Sequence, residues 1–97
     1  MKLYMLGKGV AKYYRKNVKE NSSASDNLIQ KKLTRNIKLA KKYQLANNEN
    51  LYLYGNLLIF ANHDTITNIY NIKGKGLKYF YVNKQKCNEL NNILNIT

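Results

Sequence analysis

The spacing of apolar and polar positions changes period twice along this chain, dividing it into helical, β and helical thirds. Over 10–20, Val10, Ala11, Tyr14 and Val18 fall on one side of a helix, and Lys12, Arg15, Lys16 and Lys19 fall on the other. Small polar residues at 21–25 form a linker. Ser25 or Asp26 then suits the cap of a second helix, because a short side-chain oxygen accepts a backbone N–H that lacks a partner in the first turn. That helix is expected to run to about residue 43. Ile29, Leu33, Ile37 and Ala40 form one stripe, and Lys31, Arg35, Lys38 and Lys42 a second stripe nearly opposite.

After a polar turn at 46–50 the pattern becomes strand-like. Residues 51–61 are rich in Leu, Tyr, Ile and Phe, Asn62-His63-Asp64 reads as a turn, and 65–72 alternates with β-branched residues. Lys73-Gly74-Lys75-Gly76 makes a second turn before a strand at 77–82. Gly55 marks a bulge or a break inside the first of these strands, since glycine weakens a strand interior. Asn83 caps a last helix whose Cys87, Leu90, Ile93 and Leu94 share a face and which is expected to lie across the sheet. The fold class is therefore α+β: two N-terminal amphipathic helices, a three-stranded antiparallel meander and a C-terminal helix packed on the sheet. One small domain over 1–97 is expected, large enough to bury roughly 65% of its unfolded surface.

Charge sharpens this picture. Seventeen Lys and Arg face five Asp and Glu, for a net charge of +12. Residues 1–46 hold twelve basic and two acidic residues, 47–72 none and two, and 73–97 five and one. Solubility alone does not require every cation to leave the most apolar quarter of the chain, so an electropositive surface facing a polyanion is the natural reading. On the second helix, Lys31, Arg35, Lys38 and Lys42 lack acidic partners one turn away and repel one another, a repulsion that RNA or DNA relieves. Lys8, Lys12, Arg15 and Lys16 in and before the first helix, and Lys73, Lys75 and Lys78 around the glycine-rich turn, extend the same field. Fifteen of the seventeen cations are Lys, which favours phosphate contact over bidentate reading of guanine.

Nine tyrosines and no tryptophan make Tyr the aromatic available for stacking. Tyr52 and Tyr54 share one face of the first strand, and Tyr79 and Tyr81 share a face of the last, where they are candidates to stack on bases. Each of these rings is equally suited to half-burial in a small core.

Other chemistry has less support. His63, the single histidine, precedes Asp64 and Thr65. A histidine beside a hydroxyl suits general acid–base cleavage of RNA, with His63 and Thr65 as the groups of a toxin-like ribonuclease, although no second acid or base has a matching position. The same tripeptide is ordinary turn chemistry. Cys87 is the only cysteine, so neither a disulfide within the chain nor a Cys/His zinc site is expected, and no cofactor is implied. Gly7-Lys8-Gly9 and Gly74-Lys75-Gly76 lack the spacing of a nucleotide-binding loop. No apolar run approaches the roughly 20 residues that span a bilayer, so no membrane partner and a cytoplasmic location are expected.

In outline, the order helix, three strands, helix over 26–94 resembles the double-stranded-RNA-binding domain. Lys84 and Lys86 fall where that family places closely spaced lysines, within the local sequence Lys84-Gln85-Lys86-Cys87-Asn88. The strand and Lys-rich helix over 73–94 resemble the end of the arm-binding domain of phage integrases, and helices followed by a sheet resemble small ribonucleases of the barnase type. The reading favoured by the residues is a non-catalytic nucleic-acid-binding accessory protein that contacts phosphates through a basic helix face. Its Asn- and Lys-rich composition fits a phage, a mobile element or a low-GC bacterium. The alternatives are the ribonuclease and a phage-encoded inhibitor of a host protein or ribonucleoprotein.

Overall fold

The computed structural model describes residues 1–73 and 80–96. In chain order its elements are β1 (Met5–Leu6), α1 (Val10–Asn17), α2 (Asp26–Leu39), β2 (Lys41–Gln44), β3 (Glu49–Tyr54), β4 (Leu57–Asn62), β5 (Thr65–Asn71) and α3 (Lys84–Leu94). The architecture is α+β, with a five-stranded mixed sheet in the order β1-β5-β4-β3-β2. β2 to β5 are antiparallel, and β1 joins β5 in parallel, with Met5 opposite Thr65 and Leu6 opposite Ile66.

The long strand expected over 51–61 is two strands. Gly55 occupies the first position of a two-residue hairpin loop at φ 59°, a left-handed conformation that glycine adopts without steric cost and that suits the twist of paired strands. The second hairpin places His63 at φ 55° in the same position, and histidine is among the side chains found there more often than most. Asn47 and Asn48, at φ 60° and 63°, turn β2 into β3.

Three expectations are corrected. The second helix ends at Leu39 rather than near residue 43, because Ala40 is extended and Lys41–Gln44 pairs with β3. Pairing with an available strand edge outweighs a helical periodicity that continues through Lys42. The first helix stops at Asn17, where the Asn71 side-chain amide donates to the Asn17 carbonyl at 2.8 Å and Val18 becomes extended. Finally, α3 packs chiefly on α2 and reaches the sheet at Tyr54, beside Cys87, rather than lying across it. Arg35 Nη1 donates to Asn91 Oδ1 at 3.0 Å between those two helices, and Leu94 is buried. Of the strand expected over 77–82, residues 80–82 are not in a strand, and the remainder lies outside the described residues. The described order is thus helix, four strands, helix, so the outline likeness to the double-stranded-RNA-binding domain does not extend to the sheet.

One face of the sheet carries the core. Ile59, Ile66, Ile29 and Leu33 are fully shielded from solvent, each contributing on the order of 1.5–3 kcal/mol relative to exposure. Tyr52, Leu57, Ala61 and Ile69 complete the sheet side, and Val10, Tyr14 and Ile37 the helix side. The N-terminal strand is pinned across this core by polar contacts. Buried Thr34 accepts from the Tyr4 N–H at 3.0 Å, and Gln30 donates to the Tyr4 carbonyl at 3.2 Å. The Tyr13 hydroxyl accepts from the Asn71 N–H at 2.9 Å, seating α1 along the edge of β5. Ser25 caps α2 by accepting from Leu28 N–H at 3.1 Å.

Gly7 closes β1 onto β5 by donating to the Ile66 carbonyl at 2.7 Å. A β-carbon at Gly7 would stand 2.6 Å from that same oxygen, so Gly7→Ala forces the strands apart. Urea unfolding should show a loss of about 1–3 kcal/mol, with wild-type stability as the contrary result. Burial also raises the phenols of Tyr4, Tyr14 and Tyr54 above the ordinary value, Tyr4 to about 12 with help from neighbouring Tyr52. Groups whose folded values are raised add stability that is fully present below their unfolded pKa of about 10. That stability disappears as pH climbs through the folded values. Alkaline titration followed by circular dichroism should therefore show destabilisation beginning near pH 10, and Tyr4→Phe should make it less steep.

Candidate nucleic-acid interface

Helix α1 buries Val10 and Tyr14 against the sheet, which turns the opposite side of the helix to solvent. Lys12 and Lys16 stand there one helical turn apart, Lys8 and Lys19 lie on the segments that flank the helix, and all four are exposed. Among the described residues only two ion pairs form, Lys2 with Asp64 at 2.8 Å and Arg15 with Asp26. None of the four lysines in the α1 row is neutralised by a carboxylate of the described chain.

At its C-terminal end the row enters a cleft of about 630 Å³ between the end of α1 and the loop and strand ends of the sheet. Arg15, Lys16, Lys19 and Lys73 line it together with Asn56, Asn71 and one carboxylate, that of Glu20. A neighbouring recess of about 320 Å³ shares Asn56 and Asn71 and adds Tyr14, Asn21, Lys32, Arg35 and Tyr54. Cations and amides in a concave site can donate to anionic oxygens from several directions, the arrangement that phosphate groups require.

The inner cations are held in place. Arg35 donates through Nε and Nη2 to Asn36 Oδ1 at 3.2 and 3.1 Å, besides its bond to Asn91. Lys32 Nζ donates to Asn21 Oδ1 at 2.7 Å, and the Asn21 amide donates in turn to the Lys19 carbonyl at 2.6 Å. Arg15 donates to the Ala24 carbonyl at 2.7 Å and to Asp26. Burial raises the Tyr14 and Tyr54 phenols, and the positive charge of Arg35 opposes that rise in both, so the guanidinium lies close to the two rings. Both arginines are thereby committed to protein partners, while the lysines of the α1 row project into water.

The residues expected from sequence divide accordingly. Lys12, Arg15 and Lys73 belong to this surface. The proposed row Lys31, Arg35, Lys38 and Lys42 is not continuous. Lys31 is half-buried, Arg35 is engaged by α3, Lys38 is exposed on α2 and Lys42 belongs to edge strand β2. Tyr52 is buried in the core and Tyr54 packs edge-on to Phe80 at 5.2 Å, so neither ring is presented for stacking on a base. Tyr81 is 81% exposed, outside any strand. Lys75, Lys78 and Tyr79 lie outside the described residues.

Lys19, Lys32, Asn21, Asn56 and Asn71 were not singled out from sequence. The spacing of Lys8, Lys12, Lys16 and Lys19 carried a readable signal for the first of these, whereas the four others come together only through tertiary structure.

His63 follows the end of β4 opposite the cleft, exposed and beside the Asp64 that Lys2 engages. That contact holds the Asp64 carboxyl below its usual range and the Lys2 ammonium above its own. Thr65 is in β5, opposite Asn62. No group of three or more His, Cys, Asp and Glu side chains suited to a metal occurs among the described residues. Within the same residues no helix is long and apolar enough to cross a membrane.

No curated protein and no solved structure matches the chain. A family model does match, over residues 4–93, and that span covers all the elements from β1 to the last turn of α3. The chain belongs to the YorE family.

Proposed function

We propose that this chain is a non-catalytic nucleic-acid-binding protein that holds a phosphodiester backbone along α1 and into the cleft at its C-terminal end. The observation that supports the reading best is the continuity of the exposed row Lys8, Lys12, Lys16 and Lys19 with the cleft that Arg15 and Lys73 line. Lys12 and Lys16 stand one turn, about 5.4 Å, apart along the helix, and with exposed Lys8 and Lys19 on the flanking segments they offer point charges that can follow a strand. A polyanion that exchanges its own counterions for such charges gains affinity without reading bases.

Sequence-independent contact follows from the same geometry. Bidentate recognition of guanine calls for an arginine whose fork is open, and the forks of Arg15 and Arg35 are occupied by Ala24, Asp26, Asn36 and Asn91. Lysine, a flexible point charge, carries what remains. An accessory role in handling RNA or DNA, in a phage or mobile element, agrees with this chemistry and with a family of phage type.

The test uses protein freed of host nucleic acid and titrated against labelled RNA and DNA over a series of salt concentrations. Lys12→Gln with Lys16→Gln should weaken binding equally for all sequences and reduce the log–log salt slope by about two units. Lys38→Gln with Lys42→Gln, off the α1 path, should have the smaller effect. Unchanged affinity in the α1 variant, or a larger loss in the α2–β2 variant, would remove α1 from the interface.

A further inference from the structure

The sheet has a second face, and no described helix covers it. Side chains alternate along a strand, so the residues between the buried positions of β3 and β4 all point away from α1 and α2. These are Leu51, Leu53, Leu58 and Phe60, which are neighbours in register as Leu51 with Phe60 and Leu53 with Leu58. Tyr43 of β2 lies opposite Leu51, and Tyr70 of β5 lies opposite Leu58, its ring edge-on to Phe60 and, at the margin of the face, to Tyr13 of α1. Tyr43 and Tyr70 are 48% and 49% exposed. Leu51, Leu53, Leu58 and Phe60 between them are half-buried, and a contiguous apolar face of this kind marks an interaction surface.

The charge on this face identifies its occupant. Among the described residues the charged side chains of its strands are Lys41 and Glu49, which balance on a chain of net charge +12. The α1 row reaches only the β5 margin of this face, where Lys8 and Tyr13 line a recess with Asn68 and Tyr70. Two copies of the chain repel through their cation-rich helical sides but meet here without opposing charges of the same sign.

The placement of the two charges is also self-complementary. Lys41 lies opposite Leu53 at one end of the β2–β3 ladder, and Glu49 lies at the other. A two-fold axis running across the strands reverses their direction and lays the Lys41 end of one copy toward the Glu49 end of the other, as an isologous contact requires. Face-to-face sheets then stack about 10 Å apart with their side chains interdigitated.

We propose that the open sheet face is the interface of a symmetric homodimer, built on Leu51, Leu53, Leu58 and Phe60 and oriented by Lys41 and Glu49. Its α1 rows then face outward on opposite sides. The inference does not rest on nucleic-acid binding, because its observable is the mass of the protein alone.

Sedimentation of nucleic-acid-free protein at high salt, over a wide concentration range, provides the test. The mass should rise with concentration from that of one chain to twice that value. Leu58→Lys should stay at the mass of one chain with an unchanged far-ultraviolet circular dichroism spectrum. Should Leu58→Lys fail to fold, Tyr43→Glu serves the same purpose from an exposed position on an edge strand. Lys41→Glu or Glu49→Lys alone should weaken the dimer, and the two exchanges together should restore it. A wild-type chain that remains a monomer at every concentration overturns the proposal, as does a dimer that survives Leu58→Lys or Tyr43→Glu in folded protein.

Discussion

Packing of Ile29, Leu33 and Ile37 onto Tyr52, Ile59 and Ile66 is the contact on which the other features depend. It ties α2 to the middle of the sheet and leaves α1 to be drawn against β5 by Tyr13, Tyr14 and Asn71. With both helices on one side of the sheet, their solvent-facing residues form one side of the molecule and the uncovered strand positions form the other. Most of the chain's cations are carried by those helices or the segments beside them. The segregation of charge that is evident in the sequence thus becomes a segregation of surfaces, cationic on the helices and neutral on the open sheet.

The fold was legible where local chemistry decides and obscure where distant segments compete. Ser25 as a cap, the turns at Asn62-His63-Asp64 and Gly55, and the apolar stripe Ile29, Leu33 and Ile37 all follow from residues close in sequence. β1 and β2 do not. Met5 and Leu6 form a strand because Gly7 can approach the Ile66 carbonyl, and Lys41–Gln44 forms one because β3 offers an unpaired edge. Both strands are short, and neither shows a periodicity that reaches above the helical pattern before it. The position of α3 was equally hidden, since the Arg35 contact to Asn91 joins residues 56 positions apart.

The candidate site shows the same division. A basic helix surface was apparent from the lysine spacing, yet the more prominent row on α2 is interrupted by a neighbouring helix and by the end of the helix itself. The less conspicuous row on α1 is the continuous one, because α1 turns only Val10 and Tyr14 fully inward. The asparagines are instructive in another way. Sixteen of them read as a consequence of codon composition, but Asn21, Asn36, Asn56 and Asn71 meet around the recess beside the cleft, where the amides of Asn21 and Asn36 set the positions of Lys32 and Arg35 and that of Asn71 ends α1.

The account assigns polyanion contact to one side of the molecule and leaves the other side out of it. Amide chemical-shift mapping by NMR, with a short oligonucleotide titrated into the protein, addresses that assignment residue by residue. The largest perturbations should fall on residues 8–22 and around Asn56, Asn71 and Lys73, with Leu51, Leu53 and Leu58 unaffected. Perturbations concentrated on the open sheet face, with α1 unmoved, would contradict it.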